Sequence, residues 1–509
     1  MLRRQARRPV RVAIIGAGFG GIAAAVRLRT RTRAQFVIFE TAAGIGGTWW
    51  HNRYPGCEVD VHSHAYSYSF LKYDWPRTHA TQPELLRYAE DVVDQFGLRP
   101  HIRLNTAVTL VRWIPATERY EVHTQDGDVE HFDVVISAVG LLSLPRIPDW
   151  PGLSEFGGTA FHTAAWPDQL ELSGRRVAIV GTGSTAAQVV PEVAAQADRL
   201  YVFQREPGWV EPKLERAFSP AERWIYRRVP GTQKAHRAWL FYKAMQRGKA
   251  FDASSRRQAE RRAGCLAFIR SAIADEAVRN SVTPDYPWGC KRVILASTYY
   301  PALDRPNVEL VPHAVTRVTP SGVVDDTGTE RQVDVLILST GFQPTNFLAG
   351  LVVTGVGGVS LHEAWRSRAA AYLGITVAGF PNFFILYGPN TNGAGSIIAQ
   401  LERQAEFAAR AVAGIERGRW RYVDTDAAAQ RRYVEWIDLQ IARHASAMEA
   451  GCTNYYHDAQ GANITQWPSS HLRYLLLTRI AGRRGLRPMT AARAGHPASQ
   501  ARSAGSRPA

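Results

Sequence analysis

Cysteine is scarce. The 509 residues hold four, Cys57, Cys265, Cys290 and Cys452, far apart and without a C-x-x-C pair. That spacing argues against a disulfide framework, a zinc site and a dithiol redox centre. Long apolar runs are missing as well: no stretch of 18 or more uncharged apolar residues suggests a membrane span. Acidic residues are in deficit, 45 against 61 basic ones, leaving a formal net charge of +16. A basic excess can serve nucleic acid, a membrane surface or an anionic ligand. The chain has no recognisable nucleic-acid module, so arginine-rich usage combined with an anionic ligand is the reading adopted. The remaining composition, 45% hydrophobic and 21% charged, is that of a soluble globular protein with room for two or three domains.

Arg7-Arg8 ahead of VRVAIIGAGFGGIAAAV resembles a twin-arginine export signal. The glycines, however, stand where a phosphate loop needs them, and no small-residue cleavage site follows. The segment is therefore read as a first strand and helix, and the cytoplasm as the compartment. Val10 to Ile15 enters Gly16-Ala17-Gly18-Phe19-Gly20-Gly21, a helix-patterned stretch runs to about Leu28, and Gln35 to Glu40 is a second buried strand. Strand, glycine turn, helix and a strand ending in an acid make a dinucleotide-binding βαβ unit. Gly16 permits the tight turn, Gly18 lets backbone approach a pyrophosphate, and Gly21 lets helix and strand pack closely. Glu40 stands where a carboxylate can accept from ribose hydroxyls.

A second such unit begins at Arg176. Val177 to Val180 leads into Gly181-Thr182-Gly183-Ser184-Thr185-Ala186, and Leu200 to Phe203 is the next strand. Gln204-Arg205 follows it in place of an acid. A guanidinium can pair with a 2′-phosphate that a carboxylate would repel, so the second nucleotide reads as NADP, tempered by Glu206. Between Glu211 and about Asp285 arginine, alanine and aromatics recur at helical spacing, and Ser219-Pro220-Ala221-Glu222 has the form of a capping box. This is a helical insertion whose tryptophans, Trp224 and Trp239 among them, are expected in the core and whose arginines are expected on a solvated face. Asp133 to Gly140 and Asp334 to Phe342 are apolar strands with small-residue turns, suited to carrying the chain between two domains. Phe383 to Tyr387 is a further strand, with a helix over about Ser396 to Gly418. The expected fold class is α/β, with two Rossmann-like domains. One is made of residues 1–145 and 340–481, the other of 146–339 with the insertion at about 211–285; a disordered tail follows from 482.

With these pieces placed, the chain resembles the type I Baeyer–Villiger monooxygenases, within the class B flavoprotein monooxygenases. Their F-x-G-x-x-x-H-x-x-x-W-P signature is matched by Phe156, Gly158, His162, Trp166 and Pro167. The companion [AG]-G-x-W-x4-[FY]-P-G-x3-D is matched by Gly46, Gly47, Trp49, Tyr54, Pro55, Gly56 and Asp60. The resemblance implies FAD on the first loop and NADPH on the second, with Gly47, Thr48, Trp49, Asp60 and Tyr66 beside the flavin. It places the active-site arginine at Arg292 and its carboxylate partner at Asp60. Arg205 and Lys291 fall on positions that hold NADP, its 2′-phosphate in particular; the chain departs from the family's usual threonine at Glu206.

The implied reaction inserts one atom of O2 beside a ketone carbonyl, giving an ester or lactone through a peroxyflavin. A fixed cation suits the negative charge this develops, and guanidinium stays charged at any working pH. His162 is expected to serve the joint between domains, not the chemistry. Among Trp49, Trp50, Tyr54, Tyr66, Tyr68 and Phe70, most are expected in the core and two beside the flavin. Sulfur or nitrogen oxidation by the same flavin chemistry is the nearest alternative. A disulfide reductase lacks its C-x-x-C here, and a non-catalytic flavin-binding redox protein is the alternative from a different class. No pattern assigns the ketone or an oligomeric state.

Overall fold

The computed structural model describes residues 8–251, 255–393, 395–445, 454 and 456–489. Two five-stranded parallel sheets organise it. The first is ordered Phe383–Ile385, Val134–Ser137, Arg11–Ile15, Gln35–Phe39, Ile102–Arg103. The second is ordered Val308–Val311, Arg199–Phe203, Arg176–Val180, Val335–Leu338, Thr159–His162. In each sheet the strand that enters the glycine loop lies centrally, with its sequence neighbour on one side and a later strand on the other. That reversal opens a crevice at the carboxyl ends, where α/β sheets bind ligands. The near-continuous apolar strands follow from burial on both faces: Val12, Ile14, Val177 and Ile179 are fully buried. The helix Phe19–Arg31 packs against the long helix Ile397–Glu416, whose apolar side is buried almost along its length.

The chain passes between the sheets twice, after Val134–Ser137 and after Val335–Leu338. The two crossings lie side by side: Pro145 bridges to Phe342, Arg146 N–H donates to Gly341 O (2.8 Å), and Gln343 N–H donates to Leu144 O (3.0 Å). His162 closes the same corner. Its Nε2 meets Gly341 O at 3.0 Å and its Nδ1 accepts from Ala164 N–H at 3.1 Å. One ring nitrogen donating and the other accepting is the neutral tautomer, and burial pushes this imidazole's pKa down, with the Gly341 carbonyl opposing.

The insertion forms the helices Pro220–Arg228, Thr232–Gly248, Arg256–Ala272 and Glu276–Val282, and the capping box at Ser219 and Glu222 is present. Two expectations fail and a third holds only in part. Trp224 and Trp239 are 55% and 50% exposed, because the first two insertion helices lie on the surface and bury none of their residues. Arg227, Arg228, Arg256, Arg257, Arg261, Arg262 and Arg270 are exposed as expected, but Arg237 turns inward to donate to the Ser67 and His64 carbonyls and faces the buried Glu402, and Arg247 pairs with Glu211. The tail does not lose structure at Gly482: Leu486–Met489 pairs antiparallel with Tyr422–Thr425, whose backbone groups supply the order its own composition lacks. Residues 490–509, the export-like Met1–Arg7 and Cys452 lie outside the described residues. Cys57 and Cys265 are free and buried, whereas Cys290 is disulfide-bonded, a single link that the spacing did not announce. Among the described residues no helix is long and apolar enough to cross a membrane.

Candidate active site

Both glycine loops open on one cavity of about 3820 Å³, several times the volume of an ordinary small-molecule site. Its walls include Gly16, Gly18, Glu40, Gly47, Thr48, Trp49, Asp60 and Tyr66 on one side. Gly181, Gly183, Ser184, Thr185, Arg205, Lys291 and Arg292 stand on the other. All the residues assigned from the sequence to the cofactors or the chemistry, except Gly21, therefore line this space, whereas the signature residues Phe156, Gly158, His162, Trp166 and Pro167 do not. Gly21 packs beneath it. A side chain there would put Cβ 1.8 Å from Gly16 O, so only glycine lets the helix start beside the loop.

The cavity fits two phosphate-bearing groups. The helices Phe19–Arg31 and Ser184–Ala194 start at Gly18 and Gly183, with no side-chain cap and no acid in the first turn. Their first N–H groups are thus available to an anion. Gly183 has open space where a Cβ would stand, a cradle for an approaching ligand. Gly181 adopts φ +119° and sits so close to Ser339 O that a Cβ would lie 2.3 Å from it. Glu40 is buried, and its carboxylate accepts from Ala17 N–H (2.7 Å) and Ala42 N–H (2.9 Å), which fixes it at the edge of the first loop.

Asp60 sits at the end of a loop that the sequence alone does not anchor. Glu58 bridges to Thr81, and Val59 N–H donates to Ala80 O at 3.0 Å. Gln188, on the helix that follows the second glycine loop, holds this segment from across the crevice. Its Oε1 accepts from Tyr54 OH (3.1 Å), and its Nε2 donates to Glu58 O (3.0 Å). Arg292 arrives from the other direction, just before the strand Ile294–Leu295, which pairs in parallel with Val210–Glu211. Its Nη2 donates to Asp60 Oδ2. Burial alone would raise the Asp60 pKa. The Arg292 charge and hydrogen bond, with Lys213 behind them, outweigh it and hold the carboxyl below its usual range.

Lys291 does not stand free for a phosphate. Its ammonium is ion-paired with Glu206 and lies 4.7 Å above the Tyr286 ring, while Thr182 Oγ1 donates to Glu206 O at 3.0 Å. Arg205 is exposed at the end of its strand. Of the six aromatics considered, Trp49, Tyr54 and Tyr66 line the cavity. Trp49 Nε1 donates to Tyr66 OH at 3.1 Å, whereas Tyr68 is buried and stacked on Phe70 at 4.7 Å. Gly393 also lines the cavity.

Sequence reasoning missed Gln188, Glu58 and Lys213. Gln188 and Glu58 lie three and two residues from singled-out positions, but nothing in their spacing signals the contact. Lys213, with its side chain 2% exposed and ion-paired to Glu58, carries a signal of a kind: an isolated lysine two residues beyond the buried strand Val210–Glu211.

Residues 9–248 match the family model described as flavin-binding monooxygenase-like. A Baeyer–Villiger monooxygenase of Streptomyces coelicolor is 41% identical over 493 residues, covering 96% of this chain and 95% of that protein. A steroid monooxygenase structure with bound NADP superposes with a TM-score of 0.85 at 29% identity, over 94% of this chain and 99% of that one. The structure of OTEMO in complex with FAD and NADP gives a TM-score of 0.86 at 28% identity, over 94% of this chain and all of that one. Two parallel sheets with glycine loops on one cavity, an arginine–aspartate pair between them and near full-length similarity to a named relative lead to one conclusion: the chain belongs to the Baeyer–Villiger monooxygenase family of flavin-binding monooxygenases.

Proposed function

We propose that Asp60 and Arg292 carry the oxygenation chemistry of this FAD- and NADPH-dependent monooxygenase, whose substrate is a ketone converted with O2 to an ester or lactone. One observation carries the reading: a charge-paired guanidinium stands in the crevice into which both glycine loops open. FAD belongs to residues 1–145 and 340–481, with its pyrophosphate on Gly16, Gly18 and the helix start that Gly21 makes possible. Glu40 takes a ribose, and Gly47, Thr48, Trp49 and Tyr66 flank the flavin. NADPH belongs to residues 146–339, on Gly181, Gly183, Ser184 and Thr185, with Arg205 and Lys291 at the 2′-phosphate.

The bound flavin supplies the electron transfer and the oxygen chemistry. The chain supplies the charge. Arg292 keeps its proton throughout and faces the negative charge that develops on the carbonyl oxygen, as an oxyanion hole does. Asp60 aims the guanidinium and offsets its partial withdrawal from water.

Arg292→Ala is expected to keep its flavin spectrum while ester formation falls by about 100-fold or more. Ester formation at the normal rate would remove Arg292 from this role. Paired ketone and sulfide substrates, scored by product mass, separate the Baeyer–Villiger reaction from sulfur oxidation. The cytoplasm is the compartment proposed, and cell fractionation tests it.

A further inference from the structure

Glu58 and Asp60 are two residues apart in an extended stretch, and each meets a cation from the same two-stranded parallel ribbon. Arg292 precedes the strand Ile294–Leu295 and reaches Asp60; Lys213 follows the strand Val210–Glu211 and reaches Glu58. The Lys213 backbone is tied to Ser297, two residues past the neighbouring strand. Its N–H donates to Ser297 Oγ (3.0 Å) and its carbonyl accepts from that hydroxyl (2.8 Å). The two cations differ in exposure. The Arg292 side chain is 43% exposed on the cavity wall, whereas that of Lys213 is 2% exposed. A buried ammonium is costly unless it is paired, and this one is paired to Glu58 while its charge also falls on Asp60.

We propose that Lys213 is a positioning residue of this site: a second, immobile cation that keeps Asp60 ionised and in place when the Arg292 guanidinium turns toward substrate. This rests on the assignment of Asp60 and Arg292 to the oxygenation chemistry. A guanidinium that serves both the carboxylate and a developing oxyanion must lean from one to the other. Without a second cation, Asp60 would then be left uncompensated in a half-buried loop, and it would either take up a proton or pull Arg292 back. Lys213 removes both outcomes. Glu58 sets how much of the Lys213 charge Asp60 feels, because it draws the ammonium to itself. The other groups that face Asp60 are Tyr54 from its own loop, and Tyr66 and His79 from the segments that follow; Cys57, Arg77 and Glu215, the last 3.5 Å from the ammonium, act on the Lys213–Glu58 pair. Burial holds Tyr54, Cys57 and Tyr66 protonated and His79 neutral at neutral pH, so the balance lies among Glu58, Lys213 and Arg292, with Glu215 and Arg77 as the outer charges.

The test is an acid titration of the holoenzyme, following by infrared the carboxyl C=O band that Asp60→Asn deletes, alongside the acid limb of NADPH-dependent ester formation. Lys213→Met is expected to move both upward by about 1 pH unit, and Glu58→Gln to move both downward, because it releases the ammonium toward Asp60. Lys213→Arg should restore the wild-type values. A merely structural role would give loss of flavin or of melting temperature in both variants, with the two titrations shifted the same way or not at all, and that overturns the proposal. So does a Lys213→Met titration that coincides with wild type. Normal ester formation by Asp60→Asn would instead overturn the assignment of Asp60 on which the proposal rests. If Lys213→Met fails to retain FAD, the Glu58→Gln titration decides alone: an upward or absent shift refutes the proposal.

Discussion

Glu206 and Lys291, 85 residues apart in sequence, are ion-paired at the edge of the second glycine loop. A carboxylate thus holds the ammonium that the family resemblance assigns to a 2′-phosphate. Glu206→Thr would free Lys291 and remove a negative charge from that corner. Because Glu206 is half-exposed, the effect is set by a screened pair worth at most about 1 kcal/mol. The KM for NADPH is expected to fall by about fivefold, with the KM for NADH unchanged. Steady-state kinetics with both coenzymes checks it, and an equal change for NADH would refute it.

Gly21 admits no side chain, since a Cβ would stand 1.8 Å from Gly16 O. Gly21→Ala must displace the loop or the helix start, at a cost of about 2 kcal/mol or more. The purified variant is expected to lose most of its FAD absorbance and to melt at a lower temperature. Retention of stoichiometric FAD would show that the loop adjusts freely.

His162 joins the second sheet to the paired crossings through Gly341 O. Breaking a buried hydrogen bond of this kind costs about 1 kcal/mol. His162→Ala is expected to leave FAD bound and to raise the share of NADPH diverted to hydrogen peroxide by about fivefold. Peroxide assays against product yield measure this. Loss of FAD with normal coupling would contradict it.

Four histidines, His62, His64, His79 and His236, meet where the Asp60 loop faces the insertion; His64 Nδ1 lies 2.9 Å from His236 Nδ1. Burial, followed by neighbouring imidazoles and cations, lowers His62 to about 3 and His64 to about 4, and burial followed by Lys213 lowers His79 to about 4. Between these values and the ordinary pKa of 6.5 the unfolded chain binds more protons than the folded one. Stability should therefore fall as pH drops from 6.5 toward 4. Asp60 acts only lower down, because its stabilisation is lost as pH falls through a pKa already below the usual carboxylate value. His64→Gln should flatten the decline in melting temperature over this window. An unchanged slope would exclude His64 as a contributor.

The central strands of both sheets and both glycine loops were legible in the sequence, because strand, turn and helix are contiguous there and the glycines mark the places where backbone must crowd backbone; the strands Ile102–Arg103, Thr159–His162 and Val308–Val311 were not, being short or lacking a turn signal of their own. Gly16, Gly21 and Gly181 behave as their positions require. Lys213 was not legible, because its meaning depends on a two-residue ribbon pairing segments some eighty residues apart. Trp224 and Trp239 misled for a related reason: helical spacing says that one face is apolar, and only the packing says whether anything covers it. Leu486–Met489 shows the converse, since a segment of weak intrinsic preference is ordered by a partner strand.

The paired crossings at Pro145 and Phe342 constrain how the molecule can deform. Two covalent connections bonded to each other along their length form a flat strap. A strap resists stretching and sideways slip, yet folds readily across its width. Of the relative displacements open to the two sheets, one rotation is therefore much softer than the rest. The width of the space between Asp60 and the second glycine loop is then governed by that angle, which His162 braces, together with Gln188, whose hydrogen bonds to Tyr54 and Glu58 cross the same space.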